Sequence, residues 1–181
     1  HSEFSLRLLS LAASIISIGL IFYLVLIMFG DLHLFKESED GDDVSLWNKL
    51  INSDLFYSAT FAALLFIMSK SLIYYAQEAR PYALAIMFVL LSQIFFIKMM
   101  KKSSILNIVC YIIFSSLTCY THYIFGTLLL SQNLWMLYLF GKNFKECRFQ
   151  CKTEDISLLK WSIIQICLIL TLLPLIFHLY P

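Results

Sequence analysis

The sequence predicts an all-α, polytopic transmembrane helix bundle of about six spans, each a helix of the length a bilayer demands. Three observations predict it. Hydrophobic residues make up 60% of the chain and charged residues 14%, with a mean hydropathy of +0.80. An ordinary globular domain carries roughly a quarter charged residues, and 181 residues are too few to hide so much apolar surface in one soluble core. The apolar residues also fall in runs near the roughly 20 residues that a helix needs to cross a bilayer. Period-two alternation is absent, and backbone groups in lipid must be satisfied internally, so these runs are helices rather than barrel strands. Abundant Phe and Tyr with few Gly and Pro argue against a fibre or a disordered tail. The net charge is +1 with no concentrated basic face, so no nucleic-acid partner is expected.

The elements follow in order. Residues 8–30 carry no charge and form the first span. Residues 31–54 are polar and acidic, a loop in which 44–51, with Trp47, suit a short amphipathic helix lying on the membrane. Residues 55–75 form the second span, with Lys70 near one end, and 82–100 the third, closed by Lys98, Lys101 and Lys102. Residues 105–121 and 123–140 form the fourth and fifth, separated by a corner at His122. A single helix over both would rise roughly 54 Å against a hydrocarbon core of about 30 Å, so a hairpin is expected. A basic loop with Lys142, Lys145, Arg148, Lys152 and Lys160 precedes the last span, 161–180. The chain starts without Met directly before a span, which reads as a piece of a longer protein forming one membrane domain over 1–181.

Orientation follows from the lysines. The cluster at 98–102 and the loop at 142–160 lie two spans apart, hence on one side, and the positive-inside rule makes that side cytoplasmic. The acidic loop shares it. Three short polar segments, 1–7, 77–82 and 120–123, are then expected on the non-cytoplasmic face.

In the second segment, Arg80 precedes Pro81, which disfavours helix at Arg80. Pro81 suits the first turn of the next helix, so 77–81 is a tight corner at the membrane surface. Glu78 and Arg80 there read either as an interfacial turn with a snorkelling arginine or as groups facing a functional cavity. Glu3 and Arg7 are four apart with the acid first, the favourable order on a helix; an exposed pair of this kind contributes little. His122 stands between Tyr120 and Tyr123, where an aromatic belt accounts for it equally well. Asp40-Gly41-Asp42 matches D-x-D, a pattern able to hold a divalent metal, but inside an already acidic loop it reads as solvated linker. Cys110, Cys119, Cys147, Cys151 and Cys167 form no CxxC pair and read as free thiols.

Residues 73–84 run Ile-Tyr-Tyr-Ala-Gln-Glu-Ala-Arg-Pro-Tyr-Ala-Leu. They resemble the YYSQEARPYAL signature of polytopic GT-C type glycosyltransferases, the dolichyl-phosphate-mannose protein mannosyltransferase-like family. Residues 2–10, Ser-Glu-Phe-Ser-Leu-Arg-Leu-Leu-Ser, resemble the start of that family's second span. Tyr120-Thr121-His122-Tyr123, with Gln132 following, resembles its YTHY…Q segment. The likeness runs through 1–140 and fades in the last loop and span. It implies transfer of a sugar, mannose-like or another hexose or pentose, from a polyprenyl-phosphate carrier. The acceptor would be a protein, lipid or glycan on the non-cytoplasmic face. An outer-loop carboxylate acts as base in such enzymes, and basic residues hold the departing lipid phosphate, stabilising charge as it develops. Carried over by position, Glu78 is the candidate catalytic acid and Arg80 the candidate phosphate ligand, its planar fork donating two bonds. Tyr82, Glu3, Arg7 and His122 are implied to line the substrate site.

Three departures stand out. The family's first span and outer loop, with its main acidic residue, are not in this stretch, so the stretch alone is expected to be inactive. Lys70 stands near a position often held by proline, and the 31–54 loop is long. No cofactor is assigned; a metal would need a carboxylate pair of which only one half is present. Competing readings are a transporter or flippase of lipid-linked sugars, which helices broken at the midplane would favour, and a non-catalytic scaffold. Small-xxx-small packing would favour the scaffold; no GxxxG occurs.

Overall fold

A computed structural model describes residues 2–33, 54–70, 81–146 and 157–179 of the chain. Six α-helices account for almost all of them, and there is no strand among the described residues: α1 Ser2–His33, α2 Asp54–Ile67, α3 Tyr82–Lys101, α4 Ile105–Thr121, α5 Gly126–Glu146 and α6 Leu158–Leu179. Stretches in three of these are long and apolar enough to cross a membrane: Arg7–Phe29, Tyr82–Lys101 and Leu158–Leu175. They mark the chain as membrane-associated. At 14 residues α2 rises roughly 21 Å, short of a typical hydrocarbon core. The second span expected over 55–75 is described only as far as Lys70. Its helix stops at Ile67, where Ser69 N–H bonds to Phe66 O at 3.2 Å, a tightened i→i−3 turn that ends the α-helical ladder. Residues 71–75 lie outside the described residues, as do Glu78, Arg80, the acidic loop 34–53 and Cys147 and Cys151.

The chain forms two compact units, His1–Leu90 and Leu91–Pro181. In the first, α1 and α2 pack along a seam of small residues. The buried positions of α1 are Ser10, Ala13, Ser14 and Ser17, the i, i+3, i+4, i+7 spacing of one helix face. Those of α2 are Leu55, Ala59 and Ala63. Phe22 meets Phe56 edge to face at 5.6 Å near the start of α2. From that pair the two buried stretches extend together only if the helices run antiparallel. Side chains this short let backbones approach closely, the usual solution where lipid removes any hydrophobic drive for helix association. The serines donate to backbone, Ser14 Oγ to Ser10 O at 2.9 Å and Ser17 Oγ to Ala13 O at 2.7 Å. No hydroxyl is therefore left wanting in an apolar seam.

This seam makes opposite forecasts for two neighbouring substitutions. Ala59 is 0% exposed, so Ala59→Leu overpacks the seam and lowers unfolding free energy by about 1–3 kcal/mol. A Cβ built on Gly19 meets nothing within 4 Å, so Gly19→Ala, at an exposed position two residues past Ser17, raises it by about 0.5–1 kcal/mol through helix propensity. Unfolding in mixed micelles followed by circular dichroism distinguishes the signs.

In the second unit α3 turns back into α4. Ser92 Oγ lies 2.8 Å from Ser115 Oγ. Phe95 stacks on Phe114 at 5.5 Å, and Phe96 lies against Tyr111 at 5.9 Å. Partner numbers fall on one helix as they rise on the other, so the pair is antiparallel. The turn is held by Lys102 O, which accepts from Ser104 N–H at 2.8 Å and from the Asn107 side-chain amide at 3.0 Å. At the other end of α4 the expected corner is present. His122 is extended, with φ −158° and ψ 114°, its N–H bonds to Thr118 O at 3.0 Å, and a 3-10 turn, Tyr123–Phe125, leads into α5. Helix α6 carries Pro174 in its interior, where the missing N–H opens the turn before it.

Candidate functional site

The best-defined polar constellation lies inside the helices of the second unit. Helix α4 buries Tyr111, Ser115, Ser116, Thr118 and Cys119. An apolar cluster of Phe96, Met99, Tyr111, Met136, Trp161, Ile164 and Leu168 surrounds one end of that face. Within it, aromatic rings set the spacing: Trp161 stands edge-on to Phe96 at 5.9 Å and tilted against Tyr111 at 6.1 Å. Polar atoms thread the same volume. The Tyr111 hydroxyl donates to Gln132 Oε1 at 2.8 Å, Trp161 Nε1 donates to Asn133 Oδ1 at 3.1 Å, and Asn133 Nδ2 donates to Gln165 Oε1 at 3.2 Å. Gln165 and Ser115 also approach the Tyr111 hydroxyl. Three helices are thus tied by five side chains, three amides, an indole and a phenol, that apolar neighbours keep from solvent, where each bond is strengthened and each omission is costly.

A second group lies nearer the other end of α4. Ser116 Oγ and Thr171 Oγ1 are 2.7 Å apart, and Tyr120 OH donates to Thr171 O at 2.8 Å. Thr171 stands three residues before Pro174, so the Tyr120 hydroxyl serves a carbonyl in the turn that proline disrupts. Tyr120→Phe is expected to cost about 0.6 kcal/mol, the typical worth of such a bond in a membrane bundle. The loss shrinks in a Pro174→Ala background, where the Leu175 N–H takes over the carbonyl. A double-mutant cycle on detergent unfolding checks both terms.

The sequence-predicted positions fall as follows. Glu3 and Arg7 share the unbroken helix α1, one turn apart; the Arg7 side chain is exposed. Tyr82 opens α3 and is half-buried. These belong to the first unit. His122 belongs to the second, half-buried at the end of α4 with its ring edge-on to Phe125 at 5.8 Å. Cys110, Cys119 and Cys167 are free thiols.

Comparison with family models, with curated proteins and with solved structures gave no match.

Among the described residues no group of three His, Cys, Asp or Glu is placed to hold a metal. The buried network is neutral, and its chemistry is hydrogen bonding. Sequence reasoning passed over Tyr111, Asn133, Trp161 and Gln165, and named Gln132 only through a resemblance. A signal was there: Gln132-Asn133 and Gln165 are amides inside apolar runs, and polar groups at such positions face the bundle interior.

Proposed function

We propose that this chain is part of a multi-pass membrane glycosyltransferase of the GT-C type. It moves a sugar from a polyprenyl-phosphate carrier to a protein, lipid or glycan acceptor on the non-cytoplasmic face. The observation that carries the reading is the signature at 73–84, followed in the family's order by Tyr120-Thr121-His122-Tyr123. Local structure supports it at three points. Helix α3 begins at Tyr82, directly after Arg80 and Pro81. Helix α4 ends at Thr121, leaving His122 at a corner. The reversal at 102–104 supports the topology that pairs the third and fourth of six spans. Arg80 holds the lipid phosphate as it leaves, Glu78 engages hydroxyls of donor or acceptor, and Tyr82, Glu3, Arg7 and His122 line the site in membrane lipid.

Two observations favour other classes. The helix break after Ile67 is of the kind a lipid-linked sugar flippase uses, and the Ser/Ala seam of α1 and α2 suits a scaffold. The deciding experiment is transfer from a radiolabelled polyprenyl-phosphate-sugar to acceptor by the full-length protein in membranes. Transfer supports the enzyme; its absence across several donors overturns it.

A further inference from the structure

The polar cluster of the second unit is rich in donors. Gln132 is 3% exposed, its Oε1 accepts from Tyr111, and its Nε2 is buried with no acceptor. Gln165 repeats the pattern: Oε1 accepts from Asn133, and Nε2 is buried with no acceptor. Turning either amide over exchanges an unmatched donor for an unmatched acceptor and removes nothing. Two such groups in a bundle whose outer solvent is lipid have no bulk water to relieve them. Both amides belong to residues that approach one hydroxyl, that of Tyr111.

We infer that Gln132 and Gln165 hold one buried water molecule beside the Tyr111 hydroxyl. Its oxygen accepts from both Nε2 groups, and one of its protons goes to Tyr111 Oη, which donates to Gln132 Oε1 and keeps a lone pair free. Three bonds to otherwise unsatisfied buried groups is the usual complement of an internal water. The occupant is water rather than a lipid or substrate oxygen because of what encloses the node. Tyr111 is 0% exposed, Met136 1% and Trp161 5%, so these neighbours close the node to lipid. The inference is independent of the catalytic reading and concerns a different set of residues.

The test is nuclear Overhauser spectroscopy of the protein in lipid nanodiscs, with glutamine side-chain nitrogen labelled. The expected result is a cross-peak from each of the two Nε2–H2 groups to the water resonance, while neither shows one to lipid headgroup protons. Gln165→Leu is expected to remove the Gln132 cross-peak as well as its own. Cross-peaks only to protein or headgroup protons overturn the inference, as does survival of the Gln132–water peak in folded Gln165→Leu. The wild-type spectrum carries the first readout, so a variant that fails to fold leaves the test intact.

Discussion

Arg80→Ala is expected to reduce sugar transfer by the full-length protein about 10²- to 10³-fold, the usual cost of removing one preorganised group from developing charge. Under the proposal the lipid phosphate gains negative charge as the glycosidic bond breaks, so the guanidinium binds more strongly at the transition state than before it. The loss therefore falls on kcat together with kcat/KM. Arg80→Lys keeps the charge but not the bidentate fork and recovers only part of the rate. Glu78→Gln, which keeps size and removes charge, is expected to lose transfer as well. Membranes with matched protein levels and a radiolabelled donor provide the measurement. Wild-type transfer that both variants retain leaves the enzyme class standing and removes Glu78 and Arg80 from the site.

Trp161→Ala is expected to be the most damaging single truncation among the described residues. The indole is buried against Phe96 and Tyr111, and its N–H binds Asn133. Truncating a buried Trp in a soluble core costs about 3–5 kcal/mol, part transfer and part cavity. Lipid is as apolar as the core, so the transfer part shrinks while the lost packing remains. The expected loss is about 3 kcal/mol, the low end of that range. Trp161→Phe keeps most of the ring and removes the donor to Asn133, for an expected loss of about 0.6–1.7 kcal/mol. Unfolding in mixed micelles, followed by circular dichroism, compares the two. Equal losses would mean that the indole hydrogen bond, and not ring packing, holds this cluster.

Helix existence was largely legible in the sequence. The runs at 8–30, 82–100, 105–121 and 161–180 each correspond to one helix with ends within a few residues, apart from the first, which α1 extends at its N-terminal end. The corner at His122 was legible too, because one helix across it would be far too long for a bilayer. The stop after Ile67 was not. Residues 55–75 are uniformly apolar apart from Lys70 and a few hydroxyl or tyrosine positions, and no Pro or Gly punctuates Met68-Ser69. The ladder there gives way to an i→i−3 bond at Phe66, which hydropathy does not register.

The seam of α1 and the amide network illustrate a deeper limit. Ser10, Ala13, Ser14 and Ser17 were visible as small residues, and Gln132, Asn133 and Gln165 as polar residues within apolar runs. Which face each would turn, and toward which neighbour, was not. In a water-soluble helix the contrast between apolar and polar faces supplies that rotational phase. Here the outside of the bundle is lipid, so interior and exterior faces are both apolar and the contrast vanishes.

The sequence by itself determined that the chain is helical and membrane-associated, and where most helices begin and end, because those properties depend on local composition and on hydrogen bonds within one segment. Only the tertiary structure decided that Tyr111 meets Gln132, that Asn133 joins Trp161 to Gln165, and that Tyr120 reaches across to Thr171. Those meetings join residues 21 to 51 positions apart, and they depend on how helices rotate and slide against one another. Close packing fixes that arrangement only once the helices are together.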